Sequence, residues 1–566
     1  MFLARSGKGA TKLALTRAIG CPVTVGGLVA AGCLVTACGT ANQSSFAFQR
    51  PDIETSLAVS ESAQLAGPPS GADSPPSSTS ASPVASEDII KWYNQEIHWG
   101  KCEGDNPQSD YHFDCATIKA PLSWQNPNQG EIDLALKRHA ANGQPIGALL
   151  VNFGGPGAPG VRVLPSFLPN FGAALQNAYD IIGFDPRGVG ESTPVVCFDS
   201  AAAKDAQIAK SYAFTAAGNA EFVRDQQALA QGCYERTGPL YGLVDTVSAA
   251  RDLDLIRALL GQKQLNYLGF SYGTKLGATY AGLFPQNVGR MVLDGAIDIT
   301  KSADELNVDV AIGFENAARA FVAACLAGQT GTDGENCTLS GSVDQGMAQI
   351  RQLLERAYQQ PLPTEQERPL TQLLAVYGIL AALYDNDSWP RLTGALAEAI
   401  NEGTGTGLLK LSDWYTERNT DGTYASNLLP EAYPAVTCLD EAGTVDPSKA
   451  ATYNDRIAAG APTFGDFYKD YELFCQGWPV APVRTTYDLT APGANDIMVI
   501  GATNDPATPY RWARAVASTL DSGFLVTFTG EGHTGYGRGS SCIDSAVDTF
   551  LVKGKRPASG ITCAVD

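Results

Sequence analysis

Ser271 is the residue whose neighbours most clearly fit it to act as a nucleophile. It stands in Gly269-Phe270-Ser271-Tyr272-Gly273, after the apolar run Leu265-Asn266-Tyr267-Leu268 and before a small-residue, helix-like run from Thr274 to Leu283. A G-x-S-x-G pentapeptide between a strand and a helix holds its serine in a strained turn, and the flanking glycines let strand and helix close up around it. The hydroxyl is then lifted above the sheet. Alone the pentapeptide says little, because a chain with 59 glycines in 566 residues makes glycine-flanked turns by chance. The groups that would activate the serine must be found elsewhere in the chain.

A serine hydroxyl needs a base, and the chain has only four histidines, His98, His112, His139 and His533. In serine hydrolases built on a strand-turn-helix nucleophile the order is serine, acid, histidine. Only His533 follows Ser271; it lies in Gly530-Glu531-Gly532-His533-Thr534-Gly535, a loop able to bring an imidazole over a sheet edge. The other three read as structural or exposed. The acid belongs between serine and histidine at the end of a strand, where it accepts the imidazole N–H and fixes the working tautomer. Asp505, in Gly501-Ala502-Thr503-Asn504-Asp505-Pro506, follows a strand directly and leaves room before His533 for one helix, about Tyr510 to Leu520, and one strand. Asp496 opens the same strand at its wrong end, and Asp521 begins a turn. Acyl transfer also needs N–H donors aimed at the developing oxyanion. The Tyr272 N–H, next after the nucleophile, is one; Gly154 and Gly155, in Gly154-Gly155-Pro156-Gly157, are the expected others.

These residues have to be carried by a sheet. Ile132 to Leu136 alternates like an early half-buried strand, while Gly147 to Phe153 and Ala178 to Phe184 read as buried strands, the second ending in Asp185-Pro186-Arg187-Gly188. Asp245 to Leu260 has helical spacing and leads into the strand before Ser271. Val288 to Gly295 is the next strand and loop. Asp496 to Gly501 and Gly523 to Phe528 resume the series after a long interval. Strands alternating with helices in this order predict an α/β class protein with an α/β-hydrolase core. Between about Ile299 and Val483 helical periodicity replaces the strands, as in Val308 to Ala327, Val343 to Tyr358, Leu370 to Tyr384 and Trp389 to Asn401. The predicted organisation is therefore a first core part at 88–298, a helical cap at 299–483 and a C-terminal core part at 484–566.

The N-terminus reads as an export signal. Arg5, Lys8, Lys12 and Arg17 precede an apolar stretch ending in Val35-Thr36-Ala37-Cys38, and a cysteine after such small residues resembles the bacterial lipobox, in which it is lipidated. On this reading 1–38 is a signal peptide with Cys38 as the lipid anchor, and the Ser/Pro-rich 39–87 is a disordered tether. Ten of the 13 cysteines lie beyond this leader. Nearest-neighbour pairing, one choice among many, joins Cys102 with Cys115, Cys197 with Cys233, Cys325 with Cys337, Cys438 with Cys475 and Cys542 with Cys563. Their spacings do not suit a zinc site, and neither metal nor cofactor is expected. A formal charge of -20 and a pI of about 4.7 argue against a nucleic-acid surface, and no run after the leader is long and apolar enough to cross a membrane. The protein is expected outside the cytoplasm, lipid-anchored to the membrane or cell envelope or partly secreted. Oligomeric state is left open.

Taken together, these features resemble the secreted actinobacterial serine hydrolases of the tripeptidyl-aminopeptidase type, relatives of proline iminopeptidase, and especially the mycobacterial cell-envelope lipoprotein proteases. The resemblance rests on Cys38, GGPG at 154–157, Asp-Pro-Arg-Gly at 185–188, Gly-Phe-Ser-Tyr-Gly-Thr at 269–274, Asp-Gly-Ala at 294–296, Asp-Pro-Ala-Thr-Pro at 505–509 and Ser-Cys-Ile-Asp at 541–544. It departs at Asn152-Phe153, where relatives often have Asn-Pro. It implies a serine peptidase acting on peptides or proteins, an aminopeptidase releasing short N-terminal peptides or an endoprotease, with Ser271, Asp505 and His533 as triad. An aminopeptidase must bind the substrate ammonium, and Asp440 and Glu441, beside Cys438, are the carboxylates picked out for it; a solvated surface turn is the alternative for both. An esterase or lipase would use the same triad. A non-catalytic peptide-binding lipoprotein would be expected to carry a damaged one.

Overall fold

The computed structural model describes residues 87–103, 111–331, 337–483 and 487–566. The signal peptide, Cys38 and all but the last residue of the tether lie outside the described residues. Ten strands form one sheet: β1 (Gly100–Lys101), β2 (Asp114–Pro121), β3 (Glu131–His139), β4 (Gly147–Asn152), β5 (Tyr179–Phe184), β6 (Leu265–Phe270), β7 (Val288–Asp294), β8 (Ile497–Asn504), β9 (Gly523–Glu531) and β10 (Thr562–Ala564). Their order is β1-β2-β3-β5-β4-β6-β7-β8-β9-β10. From β5 to β10 every neighbouring pair is parallel, and β1, β2 and β3 join antiparallel at the other edge.

A parallel sheet is covered on both faces, so its strands are apolar at successive positions rather than at alternate ones. In β4, Leu150 packs into the cluster that holds Leu253, Leu276 and Tyr280, whereas Leu149 and Val151 pack into the opposite one with Leu164, Val547 and Phe550. Helices Thr246–Leu259 and Tyr272–Leu283 therefore cover one face, and Gly160–Phe167 and Ser541–Lys553 the other. The strand read at 132–136 is longer in the structure, and Leu134, Ala135, Leu136 and Lys137 are all buried, so it is not half-exposed.

Between β7 and β8 the chain is helical, with Ala303–Leu326, Val343–Gln359, Gln372–Leu383, Trp389–Ala397, Thr406–Thr416, Tyr433–Glu441 and Ala450–Gly460. Ser302 opens the first through a capping box with Glu305. These helices close a core of their own around Phe321, Leu353, Ile379, Leu392 and Leu408, distinct from the two sheet clusters. Five disulfides link Cys102–Cys115, Cys197–Cys233, Cys325–Cys337, Cys438–Cys475 and Cys542–Cys563.

Candidate active site

Ser271 sits at the junction of β6 with helix Tyr272–Leu283, with φ 55° and ψ -122°. That is a conformation L-residues avoid, and its strain has to be offset by what surrounds it. The Ser271 N–H donates to the Asp294 carbonyl at the end of β7 (2.9 Å), and the Tyr267 hydroxyl donates to the Gly273 carbonyl (2.8 Å). A Cβ on Gly269 would lie 2.4 Å from the Gly273 carbonyl oxygen, so strand and helix approach only because a glycine stands there.

Asp505 follows β8 and is buried; both carboxylate oxygens lie 2.9 Å from His533 Nδ1. The acid is gripped further by the Thr508 hydroxyl (2.9 Å) and by the N–H groups of Ala507, Thr508 and Thr534. Burial works against its charge, but the imidazole and these donors outweigh burial and hold its pKa below the ordinary carboxylate value. The Thr508 hydroxyl also lies 3.2 Å from His533 Nδ1. His533 Nε2, the atom that would face a nucleophile, is buried and without a hydrogen-bond partner among the described residues. The Ser271–His533 bond is thus not formed here, in keeping with the loose catalytic contacts of substrate-free hydrolases. The two residues nevertheless lie against consecutive residues of one loop. Gly295 follows Asp294, which holds the Ser271 N–H, and a Cβ on it would meet His533 Cε1 at 3.2 Å. Asp496 pairs with Arg556 at the far end of β8, and the Asp521 N–H donates to the Thr490 carbonyl, so neither competing acid joins this group.

The glycine loop lies against the nucleophile. A Cβ on Gly154, where φ is 91°, would fall 2.9 Å from Ser271 Cβ and 3.3 Å from the Tyr272 nitrogen. The Gly154 N–H, however, donates to Asn152 Oδ1 at 3.0 Å. The Gly154 N–H is thus engaged within the loop, while its missing side chain permits the close approach. Tyr272 opens its helix, where first-turn N–H groups have no acceptor within the helix.

Residues 461–563, which include Asp505 and His533, match the family model described as TAP-like protein, Abhydrolase_4. Over 483 residues the chain is 33% identical to serine protease Hip1 of Mycobacterium tuberculosis, covering 83% of this chain and 91% of that protein. The chain belongs to the TAP-like serine hydrolases of the α/β-hydrolase fold. Carboxylesterase B of M. tuberculosis is 34% identical over 457 residues, 80% of this chain and 86% of that one. Tripeptidyl aminopeptidase of Streptomyces lividans is 28% identical over 481 residues, 83% of this chain and 86% of its own.

In this TAP-like hydrolase a cavity of about 560 Å³ opens over Ser271, between the sheet and the helices that follow β7. Asp440 and Glu441 line it, at the end of helix Tyr433–Glu441, so they are not a solvated surface turn. They are not free carboxylates either. Lys275, one helical turn beyond Ser271, reaches Asp440 at 3.2 Å and Glu441 at 3.0 Å. Burial opposes the Lys275 charge, but the two carboxylates dominate and keep it protonated. Asp440 accepts the Thr246 N–H (2.9 Å), and the Tyr471 hydroxyl donates to Glu441 (3.1 Å). Thr508, Lys275 and Asp294 are not singled out by sequence reasoning, and Asn152 enters there only as the point where the resemblance departs. Thr508 and Asp294 stand inside stretches already quoted, and the i+4 spacing of Lys275 from Ser271 is the signal that could have found it.

Proposed function

We propose that the TAP-like hydrolase is an extracytoplasmic serine peptidase that cleaves peptides near their N-terminus. The observation carrying this reading is the strained Ser271 turn beside a buried Asp505–His533 pair. His533 Nε2 takes the Ser271 proton as Oγ attacks the peptide carbonyl, and Asp505 steadies the imidazolium; the Tyr272 and Gly155 N–H groups bind the oxyanion. His533 then gives the proton to the leaving nitrogen, and water, activated by the same imidazole, releases the acyl group. Two carboxylates against one ammonium leave the Asp440–Glu441–Lys275 cluster with one uncompensated negative charge on the cavity wall. That supports a site for the substrate's free ammonium, and likeness to a protein named tripeptidyl aminopeptidase supports it further. Five disulfides fit an oxidising compartment.

The relative named carboxylesterase favours a second reading, an esterase working through the same three residues. Two measurements separate the outcomes. Ser271→Ala should abolish labelling by a fluorophosphonate probe, and persistent labelling removes Ser271 from the mechanism. Wild-type enzyme should hydrolyse a free tripeptide anilide at least about tenfold faster than its N-acetylated form, the worth of one charge-assisted contact. Equal rates, or turnover of simple esters alone, favour the esterase.

A further inference from the structure

The cavity over Ser271 has walls of different chemistry. Beside His533 it is aromatic. Tyr384 stands edge-on to the imidazole, with ring centres 5.4 Å apart and planes at 80°, and its carbonyl accepts the His533 N–H at 2.8 Å. Tyr415 packs on Tyr384 at 6.0 Å, Tyr377 stacks on Tyr415 at 5.5 Å, and Phe314 closes on Tyr384 at 5.4 Å. All four line the cavity, and the three tyrosines are only half-buried, so part of each ring is presented to whatever enters. Charged lining residues sit on other elements: Lys275 on the helix that begins after Ser271, Asp440 and Glu441 on helix Tyr433–Glu441, and Lys210, Asp466, Lys469 and Asp470 elsewhere along the chain.

The place of this wall in the reaction follows from the work of the imidazole. In acyl transfer one histidine nitrogen gives its proton to the leaving nitrogen and later takes one from the incoming nucleophile. The Tyr384 ring, packed on that imidazole, therefore borders the position from which the leaving residue departs and at which the replacing nucleophile arrives. We infer that Tyr384, Tyr415, Tyr377 and Phe314 form the leaving-side subsite, and that it takes an aromatic residue presenting its α-amino group to the acyl-enzyme. The inference rests on the reading of Ser271 as the acylated residue and adds the residue class recognised beyond the bond. It also gives the protein a second activity, acyl transfer to aromatic amines in competition with hydrolysis. The amine nitrogen attacks the Ser271 ester carbonyl, the C–N bond forms as the C–Oγ bond breaks, and His533 carries the amine proton to Oγ. No further reactant is needed.

The test is a partition experiment. Full-length enzyme is given p-nitrophenyl acetate with either phenylalaninamide or glycinamide as acceptor, and N-acetyl amide and acetate are both quantified. Each product ratio is divided by the uncatalysed reactivity of that amine with the same ester. Both products leave one acyl-enzyme, so damage to acylation cancels from the ratio. Phenylalaninamide should be preferred by roughly tenfold, the effect expected of a ring packed against rings, and Tyr384→Ala and Tyr415→Ala should each move the preference toward parity. Equal ratios in the wild type overturn the subsite without any variant having to fold, as does a preference unchanged in both variants. Undiminished p-nitrophenyl acetate hydrolysis by Ser271→Ala overturns the Ser271 reading itself, which keeps the two failures apart.

Discussion

At the scale of single residues, the site depends on how firmly an acid and an imidazole are held before substrate arrives. Asp505 is the fixed point, with His533, Thr508 and three backbone N–H groups all directed at one carboxylate. The Thr508 hydroxyl touches the side chains of both members of the pair, so it helps to set the angle between them. Removing its hydroxyl in Thr508→Val leaves the side-chain volume nearly unchanged and deletes two hydrogen bonds. We expect kcat/KM to fall about 10- to 100-fold, on the order of 1.4 to 2.8 kcal/mol of transition-state stabilisation. Fluorophosphonate labelling should slow without being lost, and Thr508→Ser should recover most of the rate. A Val variant as fast as wild type would show that the backbone donors position Asp505 unaided. Much of this arrangement was legible in advance because chemistry restricts the residue types: one histidine follows the serine, and Asp505 follows a strand with room for one helix and one strand before that histidine. Thr508 and Lys275 were less legible, since a threonine after an aspartate and a lysine on a helix are common and acquire meaning only from what the fold sets against them.

At the scale of elements, the strands around the site were readable because a doubly covered parallel strand is a continuous apolar run bounded by turn residues. Strand β2 was not, since Asp114 and Lys119 break its pattern at the antiparallel edge. Helix Ala216–Thr237 also went unread, its buried residues being a sparse set dominated by small and polar types. Least legible was the segment before helix Tyr433–Glu441, which fastens the insertion to the core by polar contacts without periodicity. Asn427 donates to the Gly188 and Val195 carbonyls (both 2.9 Å) and accepts the Gly190 N–H (3.0 Å). Lys204 and Glu431 pair at 2.7 Å nearby, almost fully buried. Between these two anchors Leu428 is pressed onto the glycine loop, its Cδ1 lying 3.0 Å from where a Cβ on Gly157 would be. Asn427→Ala removes three hydrogen bonds and leaves the Val195 carbonyl and the half-buried Gly190 N–H without this partner, so we expect a loss of about 2 to 4 kcal/mol in a denaturant titration. It should also lower kcat more than it raises KM, because the loop that bears the proposed oxyanion donor loses its cover. A loss of stability with unchanged kcat would make the anchor purely structural.

At the scale of the whole molecule, the buried acids determine how stability follows pH, and they act in opposite directions. Asp505 has a lowered pKa, so its contribution is complete above the ordinary carboxylate value and is lost as pH falls through its folded value. Asp294 and Asp185 are pushed up to about 7 and Asp548 to about 6, in each case chiefly by burial. The folded state keeps their protons where the unfolded chain has released them, so stability falls as pH rises from about 4 to about 7. Each can contribute on the order of 2 to 4 kcal/mol to that fall. The formal charge of -20 at pH 7 adds self-repulsion in the same direction. We therefore expect thermal unfolding, followed with the disulfides intact, to give its highest midpoint near pH 5 and a lower one at pH 8. Asp294 identifies the source, because its carboxylate accepts the Gly535 and Tyr536 N–H groups while its own carbonyl holds the Ser271 N–H. In Asp294→Asn the proton-linked part of the slope at this position disappears, so the difference in midpoint between wild type and variant should shrink as pH rises from 5 to 8. A midpoint climbing steadily to pH 8 in the wild type, or an equal difference at every pH, would mean that Asp294 is ionised in the folded protein and that its two N–H donors outweigh its burial.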